Sequence, residues 1–183
     1  MLIAVSGLAG VGKTTAVEHL QATGVGRMIY VGGLIREEVC RRKLSETPEN
    51  EQLVRVDMRQ RIGRDALAQM VISSLGGGMP RETLLLDAIC LREEAECYRR
   101  NLGLQLVILG LEAKFEVRAA RLECRVQRPL TRDELRDRDN FECSNLKLND
   151  VIASADHRLT NEGNLESFRR ALDALSAGWP RGA

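Results

Sequence analysis

The sequence carries almost no net charge. In its 183 residues, 27 Lys and Arg stand against 26 Asp and Glu, a formal net charge of +1. Proteins that bind the nucleic acid backbone usually carry a larger basic surplus, so nucleic acid is not the expected partner. Lysine is scarce as well, with 4 Lys against 23 Arg. Arg suits bidentate phosphate recognition better than Lys, although a GC-rich coding sequence would produce the same bias.

The sequence also lacks the segments that mark export or membrane insertion. Residues 1–7 have no basic region and few apolar residues, which predicts no signal peptide. The longest uncharged stretch, 66–80, is too short and too rich in glycine to span a bilayer. The five cysteines form no CxxC pair, which favours reduced thiols over a zinc site. We therefore expect a cytoplasmic protein with no membrane partner.

What the sequence does contain is an alternation of short apolar runs and helical segments. At about 150 residues per domain, the length predicts one domain over residues 1–183. Apolar runs predict five strands, at 2–6, 28–31, 83–86, 104–109 and 157–160. Periodicity and capping residues predict helices at 14–21, 34–43, 48–75 with a break near Gly63, 93–100, 113–124 and 164–175. This alternation is typical of an α/β fold with a mainly parallel sheet.

A phosphate-binding motif follows the first predicted strand. Residues 7–14 read GLAGVGKT and match G-x-x-x-x-G-K-[ST] at every fixed position. Glycines let backbone N–H groups face phosphate oxygens, and the helix that begins near Lys13 adds its positive end. Lys13 can reach the β- and γ-phosphates, and the Thr14 hydroxyl can ligate Mg²⁺. A predicted strand precedes the motif and a predicted helix follows it, so we expect the motif to bind a nucleoside triphosphate.

The motif and several weaker segments resemble the P-loop nucleotide kinases. The other similar segments, in order, are 32–38, 47–50, Arg59 with 63–66, 86–87, 118–122, 138–139, 155–157 and 161–166. The family includes adenylate kinase and dephospho-coenzyme A kinase, and the sequence is most similar to uncharacterised archaeal kinase-like proteins. The resemblance runs from residue 1 to about 175. It implies a three-layer fold with a five-stranded parallel sheet in the order 2-3-1-4-5. It also implies a helical segment at 33–75 over the acceptor and a lid at 125–142 over the donor.

The resemblance implies MgATP as the phosphoryl donor. The residues that would hold the nucleotide are Gly7, Gly10, Val11, Gly12, Lys13, Thr14, Thr15, Asn161 and Gly163. Asp87 ends a buried strand, and a carboxylate at the carboxyl end of a parallel strand faces the ligand crevice. We expect it to hold Mg²⁺ together with Thr14. The alternative is that Asp87 caps a helix over residues 88–92.

Arginines are the candidate phosphate ligands. We expect Arg36 and Arg59 to grip the acceptor, with Arg92 replacing an Arg that similar proteins carry nearer to Asp87. The alternative is a solvated helix face that pairs with Glu37, Glu38 or Asp57. In or near the lid, Arg125, Arg128 and Arg138 are candidate clamps on the transferred phosphoryl group. Acidic residues are interleaved with them, so a self-paired charged surface is the alternative.

Gly33 stands where similar proteins commonly carry an Asp. A kinase that acts on an alcohol benefits from a carboxylate that accepts the hydroxyl proton, whereas an acceptor phosphate is already anionic. Gly33 therefore favours a kinase whose small-molecule acceptor is a (deoxy)nucleoside monophosphate. We expect the protein to be a monomer or a homodimer. A hydroxyl kinase of the dephospho-coenzyme A type, and a nucleotide-binding switch with slow ATPase activity, stay as alternatives.

Overall fold

Five parallel strands form one sheet in the computed structural model, which describes residues 1–76, 80–126 and 128–181. The strands are β1 Leu2–Ser6, β2 Arg27–Ile29, β3 Leu84–Leu86, β4 Leu106–Glu112 and β5 His157–Thr160. They lie in the order β2-β3-β1-β4-β5, which confirms the predicted order. In register, Leu2 of β1 stands between Leu84 and Leu106 of its two neighbours.

Nine helices lie within the same described ranges. They are α1 Lys13–Ala22, α2 Val31–Arg41, α3 Pro48–Arg61, α4 Ala66–Ser74, α5 Arg92–Leu102, α6 Phe115–Glu123, α7 Arg132–Asn145, α8 Leu148–Ala153 and α9 Leu165–Ser176. Of the helices in this part of the chain, not one combines the length and the apolar character that crossing a membrane requires.

The helices cover both faces of the sheet, because every strand in its centre is apolar on both sides. Along β1, Leu2 and Ala4 belong to a core shared with α2, α3, α4, α5 and α8. The alternate residues Ile3 and Val5 belong to a second core shared with α1 and α9. Side chains of a strand point to opposite faces in turn, so continuous apolar runs are buried between two helical layers. The three-layer fold expected from the resemblance is confirmed.

The boundary between β2 and α2 differs from the prediction. Val31 was predicted to end a strand that starts at Met28, with a helix only from Leu34. Instead β2 covers Arg27–Ile29, and α2 already begins at Val31. The physical reason is a cap from outside the segment, since the Val31 N–H donates to Oδ1 of Asp87 at 2.8 Å. That cap lets two glycines, poor helix formers, lie in the first turn of α2.

The long helix predicted from residue 48 is two helices, as its expected break indicates. The Thr47 side chain accepts from the Asn50 N–H, and Pro48 occupies the first turn of α3. The break comes at Gly63, whose φ of +138° few other residues adopt. The second helix, α4, ends at Ser74. The glycine run expected to terminate it extends into residues 77–79, outside the described ranges.

Three further elements, β4, α7 and α8, depart from the prediction. Strand β4 covers Leu106–Glu112 instead of the predicted 104–109. It ends later than predicted because its residues Leu109–Glu112 pair with β5. The charged segment 125–142 contains most of helix α7, which Thr131 opens with a capping box to Glu134. Helix α8 was not predicted, because its six residues are too few for a periodic signal.

Leu85, in the middle of β3, is fully buried. We expect Leu85→Ala to lower the free energy of unfolding by about 2 to 5 kcal/mol, because the residual cavity adds to the lost apolar burial. Urea denaturation followed by circular dichroism measures this. The matched control is Leu53→Ala on α3, where the side chain is 55% exposed and the change should stay within about 0.5 kcal/mol. Equal losses at the two positions would contradict the buried placement of β3.

Candidate active site

The phosphate-binding motif forms the turn between the carboxyl end of β1 and the start of α1. Residues 7–12 make the turn, and Lys13 is the first residue of the helix. The Lys13 ammonium donates to the carbonyl oxygens of Gly7, at 2.6 Å, and Leu8, at 3.1 Å. Thr14 and Thr15 lie in the first turn of α1, and Thr14 is exposed. The loop therefore surrounds a helix N-terminus, where backbone N–H groups favour a phosphate.

Two glycines of the turn are required by their surroundings. Gly10 and Gly12 have φ values of +80° and +101°. A Cβ on Gly10 would lie 2.9 Å from the carbonyl oxygen of Arg118, and a Cβ on Gly12 would lie 2.6 Å from Nδ2 of Asn161. The turn is thus pressed against α6 on one side and against the segment after β5 on the other. Only glycines allow the backbone of the loop to approach these two neighbours so closely.

The segment after β5 is brought to the phosphate loop by Asn161. This buried residue donates from Nδ2 to the carbonyl oxygen of Val11 at 2.9 Å. Its Oδ1 accepts from Nη2 of Arg121 at 3.3 Å, and the same Nη2 donates to the carbonyl oxygen of Gly163 at 3.3 Å. Asn161 and Gly163, which the sequence separates from the motif by about 150 residues, therefore share one site with it.

Arg121 was not among the predicted nucleotide ligands. Its Nη1 is buried and makes no hydrogen bond within the described residues, which leaves a guanidinium donor beside Asn161 and Gly163. The sequence contains one indication of this role, because Arg121 lies in the segment 118–122 that resembles the nucleotide kinases. An arginine on a solvated helix face would show the same sequence pattern.

Asp87 lies directly after β3, the strand next to β1. It is 7% exposed, and its Oδ1 accepts from the Val31 N–H at 2.8 Å. Burial raises the pKa of the carboxyl, opposed by that hydrogen bond and by the charge of Lys13. Asp87 does not cap residues 88–92, the alternative from the sequence, because α5 begins only at Arg92, with Leu91 as its N-cap. The helix that it caps is α2.

Three charged groups, two of them on α7, act electrostatically on the Lys13 ammonium. Burial lowers the pKa of Lys13, and the acids Glu142 and Asp87 oppose that shift while Arg138 adds to it. Cys90 also faces Lys13, and burial raises the pKa of its thiol to about 12. At neutral pH Cys90 is therefore a neutral thiol. The charged centre is built from α1, β3 and α7.

The donor set fits Mg²⁺. This ion usually keeps several waters and takes one or two protein oxygens together with substrate phosphates. Thr14 offers a hydroxyl, and Asp87 offers Oδ2 because Val31 engages Oδ1. Within residues 1–76, 80–126 and 128–181, no cluster of three or more His, Cys, Asp or Glu side chains could cage a metal. A resident all-protein metal site is therefore not found there, and a nucleotide-bound ion suits Thr14 and Asp87 better.

Glu51, on α3, gathers three arginines around one carboxylate that is 3% exposed as a residue. Arg128 contacts both oxygens, at 2.6 and 3.1 Å, Arg55 contacts Oε2 at 3.2 Å, and Arg36 contacts Oε1 at 3.3 Å. Desolvation favours the protonated acid, but Arg128 and Arg55 hold the pKa of Glu51 below its usual range. Two of the predicted phosphate ligands, Arg36 and Arg128, thus meet at Glu51, an acid that the alternative of charge pairing did not name for either of them.

Arg55 was missed by the sequence analysis. Burial lowers the pKa of its guanidinium, with Glu51 opposing and Arg138 reinforcing that shift. Arg55 also counteracts the raised pKa of Asp87. Arg55 therefore contacts the Glu51 carboxylate, and its charge also acts on Asp87. The sequence offered no signal for it beyond one more arginine on a charged helix.

The other predicted arginines lie in different settings. Arg59 donates to Oε1 of Glu94 at 3.1 Å, and its Nε is buried with no hydrogen bond to the described residues. Arg138 donates to Glu142 at 2.8 Å and faces Lys13. Arg125 is exposed just after α6. The Arg92 side chain is 85% exposed and pairs with Glu96 on the surface of α5, so the structure does not bring it to the crevice.

A buried arginine ties the helix α7 to the phosphate loop. Arg118 on α6 is 4% exposed and donates to the carbonyl oxygen of Ala9 at 3.1 Å. The same guanidinium binds both oxygens of Asp139 on α7, at 3.0 and 2.7 Å. A bidentate pair of this kind fixes orientation as well as distance. The position of α7, which carries Arg138 and Glu142, is therefore coupled to that of the loop.

Gly12→Ala tests the contact between the phosphate loop and Asn161. The matched control is Gly24→Ala, since Gly24 also has a positive φ of +75° but a Cβ there would meet nothing within 4 Å. Gly24→Ala should lose roughly 1–2 kcal/mol of stability from backbone strain, and Gly12→Ala should lose more, because its methyl also displaces the buried Asn161. Only Gly12→Ala should also weaken MgATP binding, by at least tenfold, because the new methyl displaces Asn161. Urea denaturation and calorimetric titration measure the two effects, and equal nucleotide affinity in both variants would contradict the assignment.

Comparisons with known proteins agree with this geometry. A family model described as an AAA domain matches residues 3–147. A UPF0200 protein from Aeropyrum pernix is 34% identical over 189 residues, which cover 98% of this chain and 97% of that protein.

Among solved structures, the shikimate kinase from Bacteroides thetaiotaomicron has a TM-score of 0.63 at 16% identity, covering 97% of this chain and 98% of its own. A gluconokinase from Sinorhizobium meliloti has a TM-score of 0.54 at 16% identity, covering 96% and 90%. At such identities the likeness concerns the fold. Because the family model spans most of the chain and the archaeal relative matches it end to end, the protein belongs to the UPF0200 family, and its AAA domain has a P-loop kinase-like fold.

Proposed function

We propose that this protein transfers the γ-phosphoryl group of MgATP to a small nucleotide, a (deoxy)nucleoside monophosphate. The observation that carries the proposal is the convergence of charged groups on the phosphate loop. Lys13 follows β1 and Asp87 follows β3, the strand paired with β1, while the charge of Arg138 on α7 acts on Lys13 and that of Arg55 on α3 acts on Asp87. Phosphoryl transfer depends mainly on positioning and charge stabilisation, which such a set supplies.

On the donor side, the loop 7–12 would bind the phosphates through its backbone N–H groups, and Lys13 would move from its own loop carbonyls to the β- and γ-phosphates. Asn161 and Gly163, with Arg121, lie where the rest of the nucleotide would bind. Mg²⁺ held by Thr14 and Asp87 would neutralise charge on the β- and γ-phosphates.

On the acceptor side, the segment 33–75 would cover the acceptor and 125–142 would act as the lid. Gly33 lies in the first turn of α2 without a side chain to accept a proton, whereas Arg36 on the same helix and Arg55 on α3 meet at Glu51. A monophosphate oxygen is already anionic and attacks without a protein base. Gly33 together with Arg36 and Arg55 therefore supports a phosphate as the acceptor.

A hydroxyl kinase is the second candidate. It is supported by the structural neighbours named shikimate kinase and gluconokinase, whose names refer to acceptors other than nucleotides. It is also supported by Glu142 on α7, a carboxylate whose charge opposes the lowering of the pKa of Lys13 and which Arg138 contacts at 2.8 Å. In this reaction Glu142 would take the proton of the acceptor hydroxyl in place of a residue at position 33.

A coupled assay distinguishes these functions. The purified protein with MgATP is offered a panel of nucleoside monophosphates, dephospho-coenzyme A, simple sugar acids, or no acceptor. We expect turnover with at least one monophosphate and none without an acceptor. Turnover only with an alcohol would establish the hydroxyl kinase, and equal phosphate release with and without acceptors would indicate a nucleotide-binding switch.

Saturating MgATP at 100 times its Kd should stabilise the fold by about 2.7 kcal/mol, and no shift in Tm would contradict nucleotide binding itself.

Substitution of Gly33 gives opposite results for the two kinase reactions. A Cβ there would lie 3.1 Å from Cδ1 of Tyr30, an exposed ring that can shift by a few tenths of an ångström. For a phosphate acceptor, Gly33→Asp should lower kcat/KM because it adds a negative charge near an anion. For an alcohol acceptor, it should raise kcat/KM by supplying a base. Gly33→Asn is the uncharged control of the same shape, and a gain seen only with Asp would overturn the monophosphate proposal.

Asp87→Asn tests the metal role. The amide keeps an oxygen for the Val31 N–H but loses the charge that would hold Mg²⁺. We expect kcat to fall by at least a hundredfold while the acceptor KM changes less than threefold. Steady-state kinetics over a range of Mg²⁺ concentrations measure this, and an unchanged kcat would contradict the role.

A further inference from the structure

Three elements each send an arginine to the carboxylate of Glu51. Arg36 comes from α2, Arg55 from α3 and Arg128 from the connection between α6 and α7. Glu51 is the buried member of the set, with a side chain 4% exposed, while those of Arg36, Arg55 and Arg128 are 37%, 27% and 42% exposed. The carboxylate is thus buried while the three arginine side chains reach solvent in part, and Nη2 of Arg36 also donates to the Tyr30 hydroxyl at 2.8 Å.

The charges of this cluster do not cancel. Three guanidiniums surround one carboxylate, so the group carries two positive charges in excess. Each guanidinium has five N–H donors, and Glu51 engages one from Arg36, one from Arg55 and two from Arg128. Donors and charge therefore remain for a second anion.

Arg128 is the member most committed to Glu51. Its Nη1 and Nη2 both contact the carboxylate, in the fork geometry that a phosphate would also use. Arg128 cannot make the same bidentate contact to Glu51 and to a bound phosphate at once. A phosphate that takes this same Nη1–Nη2 fork must therefore displace Glu51 from it.

We propose that Arg36, Arg55 and Arg128 form the anion site for the acceptor, and that Glu51 is its internal counterion, which a phosphomonoester displaces from Arg128. The proposal rests on the proposed function, in which the acceptor binds between α2, α3 and the segment before α7. It assigns a ligand class as well. A carboxylate would only replace one single charge by another, whereas a phosphomonoester carries about −1.5 to −2 charges at pH 7 and gains from the excess of positive charge.

The experiment measures binding of methyl phosphate, a minimal phosphomonoester, by calorimetric titration. The phosphate loop is first filled with a saturating non-hydrolysable MgATP analogue, whose own binding is measured in the same instrument. Failure of the analogue to bind would contradict the proposed function, and the methyl phosphate titration would then be run without it. The two conclusions can therefore fail separately.

Glu51→Gln is the main variant, and Glu49→Gln is its control for net charge, since Glu49 lies on the same helix but is exposed. We expect Glu51→Gln to bind methyl phosphate at least tenfold more tightly than the natural protein, about 1.4 kcal/mol, and Glu49→Gln to bind it equally. Acetate should bind the natural protein at least tenfold more weakly than methyl phosphate. If Glu51 has only a structural role, Glu51→Gln should bind methyl phosphate more weakly than the natural protein. The proposal would be overturned by that weaker binding or by unchanged binding. Equal affinities of the natural protein for acetate and methyl phosphate would also overturn it.

Glu51→Asp keeps the test decisive if Glu51→Gln does not fold. Aspartate retains the buried charge but withdraws the carboxylate from Arg128 by one methylene group. Methyl phosphate should then bind more tightly than in the natural protein, by a smaller factor than tenfold. Weaker or unchanged binding in Glu51→Asp, with an unchanged Tm, would contradict displacement.

Discussion

The hydrogen bond from the Val31 N–H to Asp87 connects the two halves of the crevice. Asp87 is held at the end of β3 beside the phosphate loop, and Val31 is the first residue of α2. One buried carboxylate therefore fixes where α2 begins, and with it the direction of Gly33 and Arg36. An unpaired helix N-terminus in the interior costs free energy, so the position of α2 depends on this contact. Any ligand that draws on Asp87 acts on the acceptor side as well.

Buried charges organise the rest of the site in pairs and clusters. Arg118 with Asp139 aligns α7 on the phosphate loop, and Arg59 with Glu94 joins α3 to α5. Such pairs contribute little net stability, because desolvation offsets most of the attraction. What they do provide is geometry, since each guanidinium fork accepts only a narrow range of orientations. The Glu51 cluster differs from the pairs, because its charges leave an excess that a ligand can neutralise.

The likeness to shikimate kinase and gluconokinase concerns architecture, and the site has its own chemistry. A shared P-loop fold accommodates many acceptors, because the segments over the sheet vary while the sheet and loop stay constant. In this chain the variable part carries Gly33 in α2 and several arginines in α2, α3 and the region of α7. Under the proposed function, residues of the helices that cover the sheet would select the acceptor, rather than the phosphate loop.

The sequence by itself determined the local features of this protein. Residues 7–14 form the phosphate loop, Thr47 and Pro48 begin α3, and Gly63 divides two helices, because each of these depends on neighbours a few residues away. The sheet order followed from resemblance. Tertiary structure alone decided the pairings that join distant segments. Asp87 caps a helix that begins 56 residues earlier, Arg128 reaches Glu51 across 77 residues, and Asn161 reaches Val11 across 150. Charged side chains carry no periodicity that names a distant partner, so only the packing of the helices on the sheet determines which acid meets which arginine.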